Sequence, residues 1–183
     1  MAETTNQVTT AKQLAALPED GNRYELVEGV LHVMSPTGGR HGQVAATLLF
    51  QLTGHVRRRN LGVTFAAETG FLIYKNPDTV RAPDAAFVSY KRLGQFADHP
   101  GFLPFAPDLV AEVVSPHDSP REVETKTQAW LEAGVRVVLV VDPQALTVRA
   151  CRPGRSFQVP SPGLVDLDDV LPGFELDVVE LFA

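Results

Sequence analysis

The chain has 183 residues, 44% of them hydrophobic, with a formal net charge of −6, and a chain of this size predicts one domain over residues 1–183 built on one core. The acidic balance excludes a protein that grips nucleic acid over its whole surface, because counterion release needs clustered Lys and Arg, but it allows a local basic patch. A single cysteine, Cys151, excludes an intramolecular disulfide or a thiolate metal cluster within one chain and reads as a half-buried strand residue. There is no uninterrupted apolar run of about 18 residues, and the N-terminal stretch lacks a basic segment followed by an apolar one. The expectation is a cytoplasmic protein with no membrane segment.

In chain order, residues 1–9 are polar and expected to fray. A short helix follows over residues 10–17, with Thr10 and Gln13 at capping-box spacing and Pro18 as its stop. Arg23 to Met34 alternates in the manner of a hairpin that turns near Glu28 and Gly29. Thr37, Gly38 and Gly39 form a joint into a long helix headed by His41, in which Ala45, Leu48, Leu49, Leu52 and Val56 recur at helical spacing. Arg57, Arg58 and Arg59 end that helix, where cations suit the macrodipole. Beyond Gly62 come strand-like runs, VTFAA, GFLIY and PDAAFV, read as consecutive strands of one sheet.

Lys91 to Pro107, interrupted by Gly and Pro, reads as a mobile loop. Leu109 to Val114 is an apolar strand. Ser119, Pro120 and Glu122 supply an N-cap, an N1 proline and an N3 acid for a helix that Gly134 closes. A buried strand starts at Val135, and the tail adds two strands, LTVRAC and SFQV, and a last short helix. The order predicts an α/β fold: a central mixed sheet flanked by helices, with an added N-terminal helix and hairpin and C-terminal strands. A site is expected where strand ends meet helix ends.

Glu112 is the most informative residue, because a lone ionised carboxylate inside LVAEVV is costly. It must be paired with a cationic side chain, protonated or bound to a cation. Asp84 opens the strand PDAAFV, where an acid alone is often a turn former. Two acids on adjacent strands can instead converge on a hard divalent cation, with the Val113 carbonyl as a third oxygen ligand, a set that favours Mg²⁺ or Mn²⁺ over zinc. Lys126 shares a helical stripe with Val123 and Trp130 and so faces inward, where it can orient a water or neutralise charge on a phosphate. Its alternative is an ion pair with Glu122, one turn earlier. His41 and Glu28 are accessory candidates, set against a packed or capping histidine and a solvated turn acid. Glu68, ahead of another strand-like run, is a weaker third.

The segments RYELVEGVLHVMSP, RAPDAAFVS, PDLVAEVVSP and KTQAWLEAGVRVVLVVDP together resemble successive signatures of the bacterial Uma family, assigned to the PD-(D/E)XK restriction-endonuclease-like superfamily. The similarity runs from Arg23 to Phe182. It implies a metal-dependent nuclease in which Pro83 and Asp84 match the PD element and Glu112 the acidic element. Val114 stands where the superfamily pattern has lysine, and the resemblance implies that Lys126 takes that role from the following helix. Two functions follow as expectations: hydrolysis of DNA or RNA phosphodiesters, or a non-catalytic nucleic-acid- or protein-binding module that keeps the nuclease fold. The apolar terminal segments suit a homodimer.

Overall fold

The structure, a computed structural model, describes residues 8–18 and 20–183. Most of the stretch expected to fray, residues 1–7, lies outside the described residues. Helix α1 (Ala11–Leu14) carries the anticipated capping box, the Thr10 hydroxyl accepting from the Gln13 N–H. Strands β1 (Arg23–Val27) and β2 (Val30–Met34) form the hairpin. Glu28 and Gly29 both sit at positive φ, 51° and 74°, the backbone of a two-residue turn that matches strand twist. Helix α2 (Gly39–Arg59) ends at Asn60 in the left-handed region. Its buried stripe is His41, Val44, Leu48, Leu52, His55 and Val56. Ala45 and Leu49, expected on that stripe, are half-buried at its margin.

Strands β3 (Gly62–Ala66), β4 (Phe71–Tyr74), β5 (Thr79–Arg81) and β6 (Ala85–Ser89) correct the expectation of three consecutive strands in one sheet. β3 pairs directly with β6, whereas β4 turns back on β5 and leaves for a second sheet, of order β2-β1-β5-β4. The three residues of β5 are too few to show a period, so the strand that draws β4 away left no pattern. Helix α3 (Tyr90–Leu93) and a following single 3₁₀ turn (Gly94–Phe96) open the segment expected to be a mobile loop. That segment is anchored: Leu93, Leu103 and Ala106 are buried, and Leu103 exchanges backbone hydrogen bonds with Gly70 and Leu72.

β7 (Leu109–Val113), α4 (Pro120–Glu132), β8 (Val137–Asp142), β9 (Thr147–Arg152) and β10 (Arg155–Pro160) complete the main sheet. Its order is β10-β9-β8-β7-β6-β3, with only β7 and β8 parallel, as a crossover through α4 requires. β8 begins two residues later than expected, because Val135 packs in the turn after Gly134 (φ 94°). A two-stranded sheet, β11 (Leu164–Asp166) with β12 (Glu175–Asp177), and helix α5 (Val178–Phe182) close the chain.

Alternation along the main sheet sends Ala85, Phe87, Leu109, Ala111, Leu139 and Val141 to one face, against α2 and the C-terminal elements. Ala86, Val88, Val110, Val138 and Val140 go to the other, against Trp130 of α4 and Leu93 of α3. Helices therefore cover both faces. Leu48 is fully buried in the first core, while Phe50, two residues along α2, is 77% exposed. Leu48→Ala is expected to destabilise the chain by about 2–5 kcal/mol and Phe50→Ala by less than about 0.5 kcal/mol, as read by urea unfolding.

Candidate metal centre and its charge network

The backbone register brings the two acids to one level. β6 and β7 run antiparallel with Ala85 opposite Ala111, so one further step sets Asp84 opposite Glu112. Glu112 faces α4, on the same side of the sheet as Val110. From α4, Lys126 and Trp130 are one turn apart and so share a side of the helix. Their two donors divide the Glu112 carboxylate: Lys126 Nζ lies 2.9 Å from Oε2, and Trp130 Nε1 donates to Oε1 at 2.8 Å. The lysine thus faces the acids. Glu122, its alternative partner, is occupied with the Ser119 N–H and hydroxyl in the capping box.

Asp84 is held from two directions. Its Oδ2 accepts the Val113 N–H at 2.8 Å and the His41 Nε2–H at 3.3 Å. Among the described residues no donor meets its Oδ1. His41 reaches this point because the Gly38–Gly39 joint starts α2 beside the strand ends, and it is buried there. Its hydrogen bond to Asp84 raises the imidazole's proton affinity above the ordinary value against the opposing effect of burial, and the Val113 carbonyl, facing the same ring, adds to the rise. Burial pushes the Asp84 carboxyl up, but the bonds from His41 and Val113 and the charges of His41 and Lys126 outweigh it and hold it below the usual carboxylate range.

Glu112 behaves oppositely. Burial pushes its carboxyl up to about 7, reinforced by the negative charges of Asp84 and Glu25 and opposed by Lys126. Lys126 loses proton affinity to burial, yet Glu112 and Glu25 more than restore it, so the ammonium stays charged.

Glu25, in the middle of β1, was not anticipated. It is buried, accepts from Arg81 NH1 of β5 at 3.1 Å and from the Ala82 N–H at 3.0 Å, and places Oε1 3.6 Å from Lys126 Nζ. The signal was weak: Glu25 falls at a polar position of an alternating strand, two residues from Arg23, where an exposed acid is the ordinary reading. Its partner Arg81 was not legible, since the β1–β5 pairing joins segments 56 residues apart. Glu28 does not join the site. It is exposed in the hairpin turn, where its N–H bonds the Thr79 hydroxyl, so the accessory role expected of it is corrected to a turn residue. Glu68 lies at the rim, paired with Arg23 at 3.6 Å.

These groups line a cavity of about 640 Å³ between the β1–β2 hairpin and α4. Six carboxylates (Glu25, Glu68, Asp84, Glu112, Asp118 and Glu122) face four cationic side chains (Arg23, Arg81, Arg121 and Lys126). His41, whose proton affinity is raised, lines the cavity as well, and burial favours the neutral form of Glu112, so both signs of charge meet around the acids. Among the described residues there is no group of three or more His, Cys, Asp or Glu side chains placed to hold a metal ion. A closed protein cage is therefore absent, while two carboxylates and a backbone carbonyl suit a hard cation that keeps part of its water shell.

A mixed sheet with helices on both faces, an acid at the mouth of one central strand and another within its neighbour, defines a restriction-endonuclease-like α/β fold. The Uma2 family model, described as "Putative restriction endonuclease", matches residues 11–179, and the chain belongs to that family. Its fold is also similar to a solved structure described as "a putative nuclease belonging to DUF820 from Anabaena variabilis ATCC 29413". The two are 21% identical with a TM-score of 0.80, over 94% of this chain and 97% of that one; at that identity the likeness establishes the fold. No curated protein matches the chain. Among the described residues no helix is long and apolar enough to cross a membrane.

Because the native state holds the Glu112 proton up to about pH 7 while the unfolded chain releases it near 4.5, the metal-free protein loses stability as pH rises through that window. The contribution is fully present below pH 4.5 and amounts to roughly 3 kcal/mol at most. Glu112→Gln is expected to flatten that segment of the stability–pH profile, measured by denaturant unfolding in chelator; an unchanged slope contradicts it.

Proposed function

We propose that this chain is a divalent-metal-dependent nuclease that hydrolyses phosphodiester bonds in DNA or RNA. The observation that carries this reading is the meeting of Asp84, Glu112 and Lys126 at one end of the central strands, the lysine reaching from α4 to the acid. Asp84 Oδ1, Glu112 and the Val113 carbonyl would hold Mg²⁺ or Mn²⁺, which supplies Lewis acidity and charge neutralisation toward a phosphodiester. Beside the acids, the Lys126 ammonium offsets negative charge that develops on a phosphate. His41 and the Val113 N–H fix the Asp84 rotamer, and Trp130 fixes that of Glu112.

Val114 favours a second reading, the binding module, since the strand position of the superfamily lysine is apolar. The geometry weighs against it, because Lys126 brings an ammonium to the acid from another element. Cleavage of plasmid, single-stranded DNA and RNA in Mg²⁺ or Mn²⁺ decides between them. Asp84→Ala and Glu112→Ala are expected to abolish cleavage and the metal-dependent rise in melting temperature together. Lys126→Ala is expected to lower the rate by about 10²-fold or more while the metal-dependent rise persists, since an ammonium is no ligand. Metal-dependent cleavage that survives Glu112→Ala, or wild-type protein inert on every substrate, refutes the nuclease assignment.

A further inference from the structure

The acids lie at the bottom of a two-walled cavity. The side chains of Asp84 and Glu112 are only 11% and 13% exposed. One wall is the β1–β2 hairpin, whose register pairs Arg23 with Met34 and Glu25 with His32. Successive side chains alternate faces, so Arg23, Glu25, His32 and Met34 all line the cavity while Leu26 packs behind them. The opposite wall is α4, with Arg121, Val123 and Lys126. Only Glu25 of the four hairpin residues is buried. His32 and Met34 stay exposed on β2, an edge strand. Folding alone gives no reason for a thioether and an imidazole on that wall.

A cavity of about 640 Å³ is of the size that encloses a small organic ligand. It has room for a nucleotide or two, and a duplex would have to be distorted for its backbone to reach acids this deep. An unpaired strand bends into such a site and exposes the flat faces of its bases. Those faces stack on imidazole and on other flat or polarisable side chains, and arginine holds the flanking phosphates.

We infer that the site takes an unpaired nucleic-acid strand, with His32 and Met34 of the hairpin as the platform for a base and Arg23, beside them on the same wall, as a phosphate contact. This rests on the nuclease reading for its chemistry but is testable by binding alone. A short oligonucleotide, prepared as DNA and as RNA, is offered single-stranded and as a blunt duplex to the full chain. Fluorescence anisotropy in chelator reads affinity, and Mn²⁺-dependent cleavage reads rate.

The single strand is expected to bind and to be cut at least about ten-fold better than the duplex. The His32→Ala/Met34→Ala double variant is expected to lose about ten-fold in single-strand affinity with its melting temperature unchanged, while Val33→Ala, on the other face of β2, keeps wild-type affinity. Equal or better binding of the duplex, or a double variant that binds like wild type, overturns the inference even if cleavage is observed. Selective single-strand binding lost in the double variant, without cleavage under any metal, sustains it and removes the nuclease reading instead. Binding of neither form overturns the inference and leaves the nuclease reading to be decided by cleavage.

Discussion

The structure around the site depends on one ion pair, Lys126 to Glu112. An acid in the second-last position of a core strand has little water to stabilise its charge, and burial favours its neutral form. The 2.9 Å contact with Lys126 turns that penalty into a constraint on α4, since the helix must sit at the height and rotation that deliver an ammonium to this point. Trp130 applies the same constraint one turn later through its 2.8 Å bond to the other oxygen. Two contacts from one helical face leave little freedom to slide. The apolar packing of Trp130 on the sheet and the two donors that α4 sends to Glu112 therefore specify one docking geometry.

The hairpin sheet is tied to the same pair. Glu25 accepts from Arg81 and the Ala82 N–H and lies 3.6 Å from Lys126, so a single ammonium is shared by acids from two sheets. Arg81 and Asp84 are separated only by Ala82 and Pro83, and this short link connects β5 of the small sheet to β6 of the large one. A shift of the hairpin would move Arg81 and, through that link, Asp84. The small sheet is therefore a wall of the site whose position is coupled to the acids, and not an appendage that moves independently.

What the sequence revealed follows the range of the interactions involved. Local signals were legible: Ser119 with Glu122 and Thr10 with Gln13 are capping boxes in the structure, and Lys126 faces inward as the spacing to Val123 and Trp130 required. That Asp84 and Glu112 lie on adjacent strands was expected, because both strands are long enough to show which residues are apolar, but their register comes only from the β6–β7 pairing. β5 was not, having three residues and no period, and with it were lost the true neighbour of β4 and the Arg81–Glu25 pair. Glu28 is the solvated turn acid that was set against its accessory role, because the left-handed turn that places it there leaves its side chain in solvent.

Val114 and Lys126 show that a buried strand acid can draw its cation from a different element. A lysine two positions after Glu112 would share its strand face, since strand side chains repeat every second residue. In this chain that face carries Val114, half-buried against the second core, and the ammonium comes from α4 instead. The two routes deliver a cation to the same carboxylate, but they differ in what supports it. A strand lysine is fixed by the sheet alone. Lys126 is fixed by the docking of a helix whose N-terminus is set by Ser119, Pro120 and Glu122, so the cap that starts α4 and the acid in β7 together determine where the positive charge lies. The capping box, some six residues from the ammonium in sequence, thereby becomes part of what places the charge beside the acids.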